Sequence, residues 1–399
     1  MKLPHASTPI LLVLSSILAW ATPTRAETGY EGWLRYAALD GASLRKSYEK
    51  TLPAVVVTPG NSGVEQSARA ELIRGVRGML NRTERIETAL PAENTILLGT
   101  IDEVKKAVPA FVVPADLITD GFYLKAISVD GRRILIVTAL NDRGVLYGTF
   151  TLLRKMALAE SIAGLDDEEN PYAPVRVINQ WDNLNGTVER GYAGGSIFWA
   201  NGHIVPDLTR VGDYVRLLAS LGIDGCSINN VNADPHAIDS EHIPEIARVA
   251  AAFRPWGVKL FVCINFGSPK SIGGLDTFDP LDPRVIDFWN KKVEEIYAAI
   301  PDFGGFIMKA DSEGELGPSA YGRTHADAAN VVARPLKARG GIVFYRGFVY
   351  NHHADWRNLK LDRARAAYDN FHHLDGEFDD NAIVQIKNGP IDFQVREPA

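Results

Sequence analysis

The run Lys309-Ala-Asp311-Ser-Glu313-Gly314 sets a lysine and two carboxylates at the end of an apolar stretch, ahead of a loop opened by Gly314, Gly317 and Pro318. Carboxylates crowded beside a cation suit proton transfer, because burial raises the pKa of one carboxyl while charged neighbours keep another ionised. A lone Lys-x-x-x-Glu is more often a weak surface ion pair; its position at a strand end is what favours chemistry here. A second run, Gln385-Ile-Lys387-Asn-Gly-Pro-Ile-Asp392, ends an apolar stretch on Lys387 and carries Asp392 forward through a Gly-Pro turn. Between the two, Phe344-Tyr-Arg346-Gly ends a third stretch on Arg346. Three cations at successive strand ends should converge, and in a chain of net charge -7 their desolvation calls for an anion. A substrate carboxylate meets that need; pairing of each cation with a local Asp or Glu is the competing reading.

Two further strand ends carry what a sugar ring asks for. Gln180-Trp181-Asp182-Asn183, with Glu189-Arg190 close behind, joins an apolar ring face to amide and carboxylate groups. Asn229-Asn230-Val231-Asn232 is rich in amides around one apolar residue. A strand-end tryptophan taken alone is more often a core residue. The adjacent pairs His352-His353 and His372-His373 do not suggest a metal, since neighbours on extended chain point to opposite sides and cannot share one ion. The two cysteines, Cys226 and Cys263, sit inside strand-like runs and read as free core thiols, with a disulfide as the alternative in an oxidising compartment.

The elements that would position these residues fall into two regions. Residues 27–160 read as a small α/β domain without a phosphate-cradling glycine loop: strands at Ala54–Thr58 and Thr95–Gly99, a helix from Ser67 to Leu80, a hairpin around Asp130-Gly131, and a helix from Val145 to Leu158. Residues 161–174, with the acidic run Asp166–Glu169 before Asn170-Pro171, read as a solvated linker. From residue 175 to 399, strand-like runs recur at Val175–Trp181, Gly225–Asn230, Lys259–Phe266, Gly305–Ala310, Gly341–Phe348 and Ala382–Lys387. Helical patterns separate them. Val211, Val215, Leu218 and Leu221 share one face, and Asp282-Pro283 is a helix start. Strands alternating with helices imply a parallel sheet, and chemistry at nearly every strand end favours a (β/α)8 barrel. Six of its eight strands fall within the chain, so the expected class is α/β with an incomplete barrel.

Composition is that of an ordinary globular protein, 46% hydrophobic and 23% charged, and no basic stripe points to nucleic acid. Residues 1–26 read as a signal peptide: Lys2, an apolar stretch from Ile10 to Trp20 too short to span a bilayer, and small residues before a cleavage after Ala26. The mature protein is therefore expected to be secreted or periplasmic and free of the membrane.

The strings Val177–Gly194, Cys226–Ala233, Lys309–Gly314, Tyr321–Asp327 and Ile386–Pro398 together resemble the α-glucuronidases of glycoside hydrolase family 67, in family order and across the chain from about residue 29. The resemblance implies an inverting glycosidase without cofactor or metal, acting on xylo-oligosaccharides decorated with (4-O-methyl)glucuronic acid. It assigns Glu313 as the general acid, Asp392 as one of two carboxylates activating water, and Lys309, Arg346 and Lys387 as ligands of the glucuronic carboxylate. Trp181 would shape the sugar pocket, Val231 would face the 4-O-methyl group, and Glu189 and Arg190 would line the substrate site. It places a second catalytic glutamate, the last two strands and a helical dimerisation domain past residue 399, so homodimers are expected of a longer form and the open barrel is expected to fold poorly alone. Asn185 stands where the family more often has Asp. Other readings are a barrel β-hexosaminidase, to which three converging cations would be useless, or a remnant that binds sugar without turnover.

Overall fold

The computed structural model describes residues 34–349, 355, 357, 358, 360 and 363–386. The first unit opens with α1 (Ala42–Thr51) and β1 (Val55–Val57), a strand buried along its whole length. Helix α2 (Gly63–Leu80) starts on a capping box: Ser62 Oγ accepts from Glu65 N at 3.1 Å while the Glu65 carboxylate accepts from Ser62 N at 3.2 Å. After β2 (Arg85–Glu87), β3 (Thr95–Thr100) and α3 (Ile101–Ala107) comes the hairpin of β4 (Phe122–Val129) and β5 (Arg132–Ala139). Its turn residues Asp130 and Gly131 have φ of 50° and 77°, the left-handed values that a two-residue turn between twisted strands requires. Helix α4 (Asp142–Ala157) packs back on α2, and β6 (Asp166–Glu169) completes a sheet of order β2-β1-β3-β5-β4-β6.

That last strand corrects the expected linker. Asp166–Glu169 pairs antiparallel with β4, from Lys125↔Asp166 to Phe122↔Glu169. Its charges are matched: Asp166 meets Lys125 and accepts from Tyr123 Oη at 2.5 Å, and Asp167 lies 3.0 Å from Lys155. An acidic edge strand is also protected against pairing with another chain.

The second unit alternates strand and helix. It runs β7 (Val177–Asn179), the short hairpin β8 (Trp199–Ala200) and β9 (His203–Ile204), α5 (Thr209–Ser220), β10 (Gly225–Ser227), α6 (Ile243–Phe253) and β11 (Lys259–Asn265). It continues through α7 (Ser268–Ser271), α8 (Pro283–Ala299), β12 (Gly305–Lys309), α9 (His325–Lys337), β13 (Ile342–Arg346), α10 (Arg363–Phe371) and β14 (Ala382–Gln385). Six strands lie parallel in sequential order, β7-β10-β11-β12-β13-β14, a curled half-barrel of the expected α/β class. The pleat divides each strand between two environments. On β12, Phe306 and Met308 join the large core under the helices, while Ile307 turns to the concave side with Val231, Ala233 and Cys263. Leu221, grouped by spacing with the buried face of α5, lies past the helix end and is exposed.

Two buried ionic clusters tie the units together. Glu71 on α2 accepts from Arg216 on α5 at Nε (3.0 and 2.9 Å) and Nη2 (2.6 Å), and from Tyr36 Oη at 2.6 Å. Asp120 accepts from Asn141 at 2.8 Å, Arg143 at 2.9 Å and Arg176 at 2.8 Å, and Arg176 leads directly into β7. Among the described residues no helix is long and apolar enough to cross a membrane; the stretch 1–26 lies outside them.

Candidate active site

Register brings the strand-end residues to one rim. Asn265 on β11 pairs with Lys309 on β12, Met308 pairs with Tyr345, and Arg346 on β13 pairs with Gln385 on β14. Lys309 and Arg346 are therefore level on neighbouring strands, on the concave side that Ile307 and Phe344 also face. Lower on that side, Gly225 and Gly304 leave space for one ring: a Cβ at either would lie 2.5 Å from the Phe261 side chain.

Lys309 is buried, and its ammonium donates to Glu313 Oε2 at 2.9 Å and to Asn232 Oδ1. Arg190 approaches the other oxygen of Glu313 from the solvent side, Nη2 to Oε1 at 3.5 Å, and its Nε lies 3.5 Å from Glu189. Glu313 thus sits between a buried and an exposed cation at the mouth of the half-barrel. On the neighbouring strand, the Arg346 guanidinium lies over the Trp181 ring, 5.6 Å from its centroid, while Val231 packs with Cys263 and Ile307. The structure brings together six of the nine residues expected at the site and, through Arg190, also Glu189. Lys387 and Asp392 lie outside the described residues.

Three acidic residues of this mouth hold left-handed backbone: Glu189 (φ 55°), Asp311 (φ 51°) and Glu313 (φ 54°). Such strain persists only where surroundings over-determine it. Asp311, one of the clustered carboxylates, forms that clasp: it accepts from Ser319 N at 3.0 Å and Ser319 Oγ at 2.5 Å, closing the loop on itself. Glu189 is held by its N–H, which donates to Trp181 O at 2.8 Å, and by its carbonyl, which accepts from Asn183 Nδ2 at 2.7 Å.

The amide-rich terminus after β10 proves to be a set of clamps. Asn229 copies a strand pairing with its side chain, Nδ2 to Cys263 O at 2.8 Å and Cys263 N to Oδ1 at 2.7 Å. Asn230 Nδ2 donates to Asn183 Oδ1 at 3.1 Å. Asp182 is buried, its carboxyl pushed up by burial and held by Ser196 and the Ile197 N–H, so it shapes the loop from beneath. Two site residues escaped the sequence reading. Asn232 was noted only for its type, and its contact with Lys309 joins segments 77 residues apart. Asn265, whose Nδ2 reaches Glu315 Oε2 at 3.0 Å, ends β11 and was accessible to the strand-end rule.

Among the described residues no group of three or more His, Cys, Asp or Glu could hold a metal ion. His372 instead stacks on Tyr368 at 4.4 Å and meets its carbonyl at 2.7 Å. Cys226 and Cys263 are free and buried, and burial pushes the Cys263 thiol up to about 12.

Comparison with known proteins gives this rim a lineage. The alpha-glucuronidase A of Emericella nidulans is 45% identical, covering 97% of this chain and 46% of its own length. The probable alpha-glucuronidase A of Aspergillus terreus is 44% identical over 98% of this chain and 46% of that protein, and the alpha-glucuronidase of Hypocrea jecorina 43% identical over 98% and 46%. The chain spans about half the length of these relatives. The glycosyl hydrolase family 67 N-terminus matches residues 32–152, the α/β unit, and the family 67 middle domain matches residues 155–399, the half-barrel whose rim carries Lys309, Glu313 and Arg346. Matched in order by both segments, the chain belongs to glycosyl hydrolase family 67.

Proposed function

We propose that the protein is an α-glucuronidase that hydrolyses the α-1,2 bond between (4-O-methyl)glucuronic acid and xylose in decorated xylo-oligosaccharides, with inversion. One observation carries the reading: a buried ammonium, Lys309, touches the carboxylate of Glu313, while Arg346 and Trp181 pair beside it on the same concave face. A uronic acid needs a cation for its carboxylate and a flat apolar face for its ring. The leaving xylose oxygen needs a proton, and Glu313 stands where the mouth opens.

In this reading Lys309 and Arg346, with Lys387, hold the substrate carboxylate. Trp181 stacks on the ring, Val231 faces the 4-O-methyl group, and Glu189 and Arg190 line the pocket on the side of the acid. Glu313 gives its proton to the xylose oxygen as the glycosidic bond breaks. Water attacks the anomeric carbon from the opposite face, with Asp392 as one of the two carboxylates that take its proton; an inverting mechanism needs roughly 6.5–9.5 Å between acid and base to leave room for that water. Lys387 and Asp392 enter through the family motif alone. Decorated xylo-oligosaccharides are the substrate, and residues 1–26 direct export to the periplasm or the medium, with cleavage after Ala26. The test is release of 4-O-methylglucuronic acid from aldouronic acids by the protein and by Glu313→Gln. Loss of roughly a hundredfold or more in rate is expected for an acid catalyst; an unchanged rate removes Glu313 from the role.

A further inference from the structure

An acid catalyst must carry a proton before it can give one, and the contacts of Glu313 favour the opposite state. Its Oε2 accepts from the Lys309 ammonium at 2.9 Å, and its Oε1 lies 3.5 Å from Arg190 Nη2. A cation on each side favours the ionised carboxylate. The two cations are unequal: the Lys309 side chain is 2% exposed and that of Arg190 70%, so the inner charge is the less screened. The neighbouring acids have partners of their own. Asp182 and Glu189, in the loop after β7, meet Ser196 and Arg190, and Asp234, after β10, meets His236. Asp311 and Glu315, in the loop of Glu313 itself, meet Ser319 and Asn265, and Arg346 on β13 lies over Trp181.

A ligand carboxylate seated on the Lys309 ammonium reverses this balance. It draws on the positive charge that Glu313 now shares with the Asn232 oxygen, and it sets a like charge one side chain away from Glu313. Both effects favour the protonated carboxyl. One ammonium would thus recognise the ligand and decide the charge of the acid. A neutral hexose in the same place would leave both cations on Glu313, so its rejection would show in kcat as well as in binding.

We propose that the substrate's own carboxylate arms the acid: as a uronate binds Lys309, Glu313 takes up one proton from solvent. That proton passes to the xylose oxygen, which keeps the electron pair of the broken glycosidic bond. The proton of the attacking water goes to the base, and Glu313 returns ionised to its two cations. The inference rests on the α-glucuronidase reading for the identity of the ligand, and its test separates the two. Sodium D-glucuronate, itself ionised throughout, is titrated calorimetrically into the protein from about pH 5 to about pH 8, at each pH in buffers of different ionisation enthalpy. Uptake of up to about one proton per glucuronate is expected, and with it an affinity that falls by up to about tenfold per unit of pH across the window of uptake. Glu313→Gln, which cannot titrate, should bind without uptake and with an affinity independent of pH. Arg190→Met, which removes the outer cation, should narrow the window from its acid side. Glucuronate that binds the wild type without proton uptake, uptake that persists in Glu313→Gln, or a window unchanged in Arg190→Met overturns the inference and leaves the function standing. Absence of glucuronate binding to the wild type is a separate result: it overturns the function, and the inference with it.

Discussion

Replacing Arg216 with methionine tests how much one of the two buried ionic clusters contributes to holding the units together. The Glu71 side chain is 1% exposed and that of Arg216 9%, so neither charge has water as a substitute partner. Removing Arg216 deletes three hydrogen bonds to the carboxylate and leaves it the Tyr36 hydroxyl and Arg74, whose Nη1 lies 3.6 Å away. Breaking a buried pair from one side costs about 3–5 kcal/mol. Because Arg74 remains close, the lower end applies, about 3 kcal/mol, or roughly 4 °C in Tm when spread over the unfolding entropy of a chain this long. The double change Glu71→Leu/Arg216→Met removes both charges and should recover most of the loss, since an apolar pair of similar volume is often no worse than an ionic one. Chemical unfolding followed by tryptophan fluorescence gives the four corners of the cycle. A single change worth under about 1 kcal/mol, or a double as damaged as the sum of its parts, refutes the latch.

Glu65 provides a pH test. Burial, then its hydrogen bond with Glu103, raises its carboxyl from 4.5 to about 7; the fold therefore favours the protonated form, and that contribution is full below about pH 4.5 and lost as pH rises through about 7. Glu65→Gln keeps the capping oxygen and stays neutral, so its Tm should match the wild type below about pH 4.5, exceed it by a growing margin from there to about pH 7, and keep a constant margin above that; a pH-independent difference excludes the linkage. Gly225→Ala places a methyl group 2.5 Å from the Phe261 ring and should lose about 1–3 kcal/mol in denaturant melts; Phe261→Leu in the same chain should restore part of it, and failure to do so means the ring is not the obstacle. Lys309→Met removes the ammonium shared by Glu313 and Asn232, and kcat/KM on aldouronic acids should fall ten- to a hundredfold, about 1.5–3 kcal/mol for a charge-assisted hydrogen bond; a fall below threefold excludes Lys309 from the carboxylate clamp.

The sequence made local order easy to read and long-range pairing hard. The hairpin was visible in Asp130-Gly131 between apolar runs because the turn geometry is written in two adjacent residues. The inner strands of the half-barrel were visible because parallel strands buried on both faces are continuously apolar, and the half-buried edge strands β7 and β14 because they are apolar runs of the same kind. Strands β2 and β6 were not, since Arg85–Glu87 and Asp166–Glu169 are charged edges whose extended form comes from the neighbour they pair with. At the site, strand ends flagged Lys309, Arg346 and Glu313 by type and position. What no local pattern could supply was that Asp311 turns back on Ser319, or that Asn183 reaches the backbone of Glu189.

Those ties bear on how the acid is held ready. Left-handed backbone at Glu189, Asp311 and Glu313 costs on the order of 1 kcal/mol or more per residue, and a free loop would relax out of it. The loop cannot, because Asp311 is clasped to Ser319 and Glu189 is pinned to Trp181, which itself lies against Arg346. The side chains proposed as the acid and the uronate cations are therefore flanked by two separate ties, Asp311 to Ser319 beside Glu313 and Glu189 to Trp181 beside Arg346. Loosening Asp311 should then reach Glu313 without touching it: Ser319→Ala, which removes the hydroxyl that Asp311 accepts from, lowers kcat more than it raises KM, because what it removes is orientation of the proposed proton donor. A Ser319→Ala protein with unchanged kcat would show that Glu313 keeps its place by its ion pairs alone, and that the strained backbone beneath it has no part in turnover.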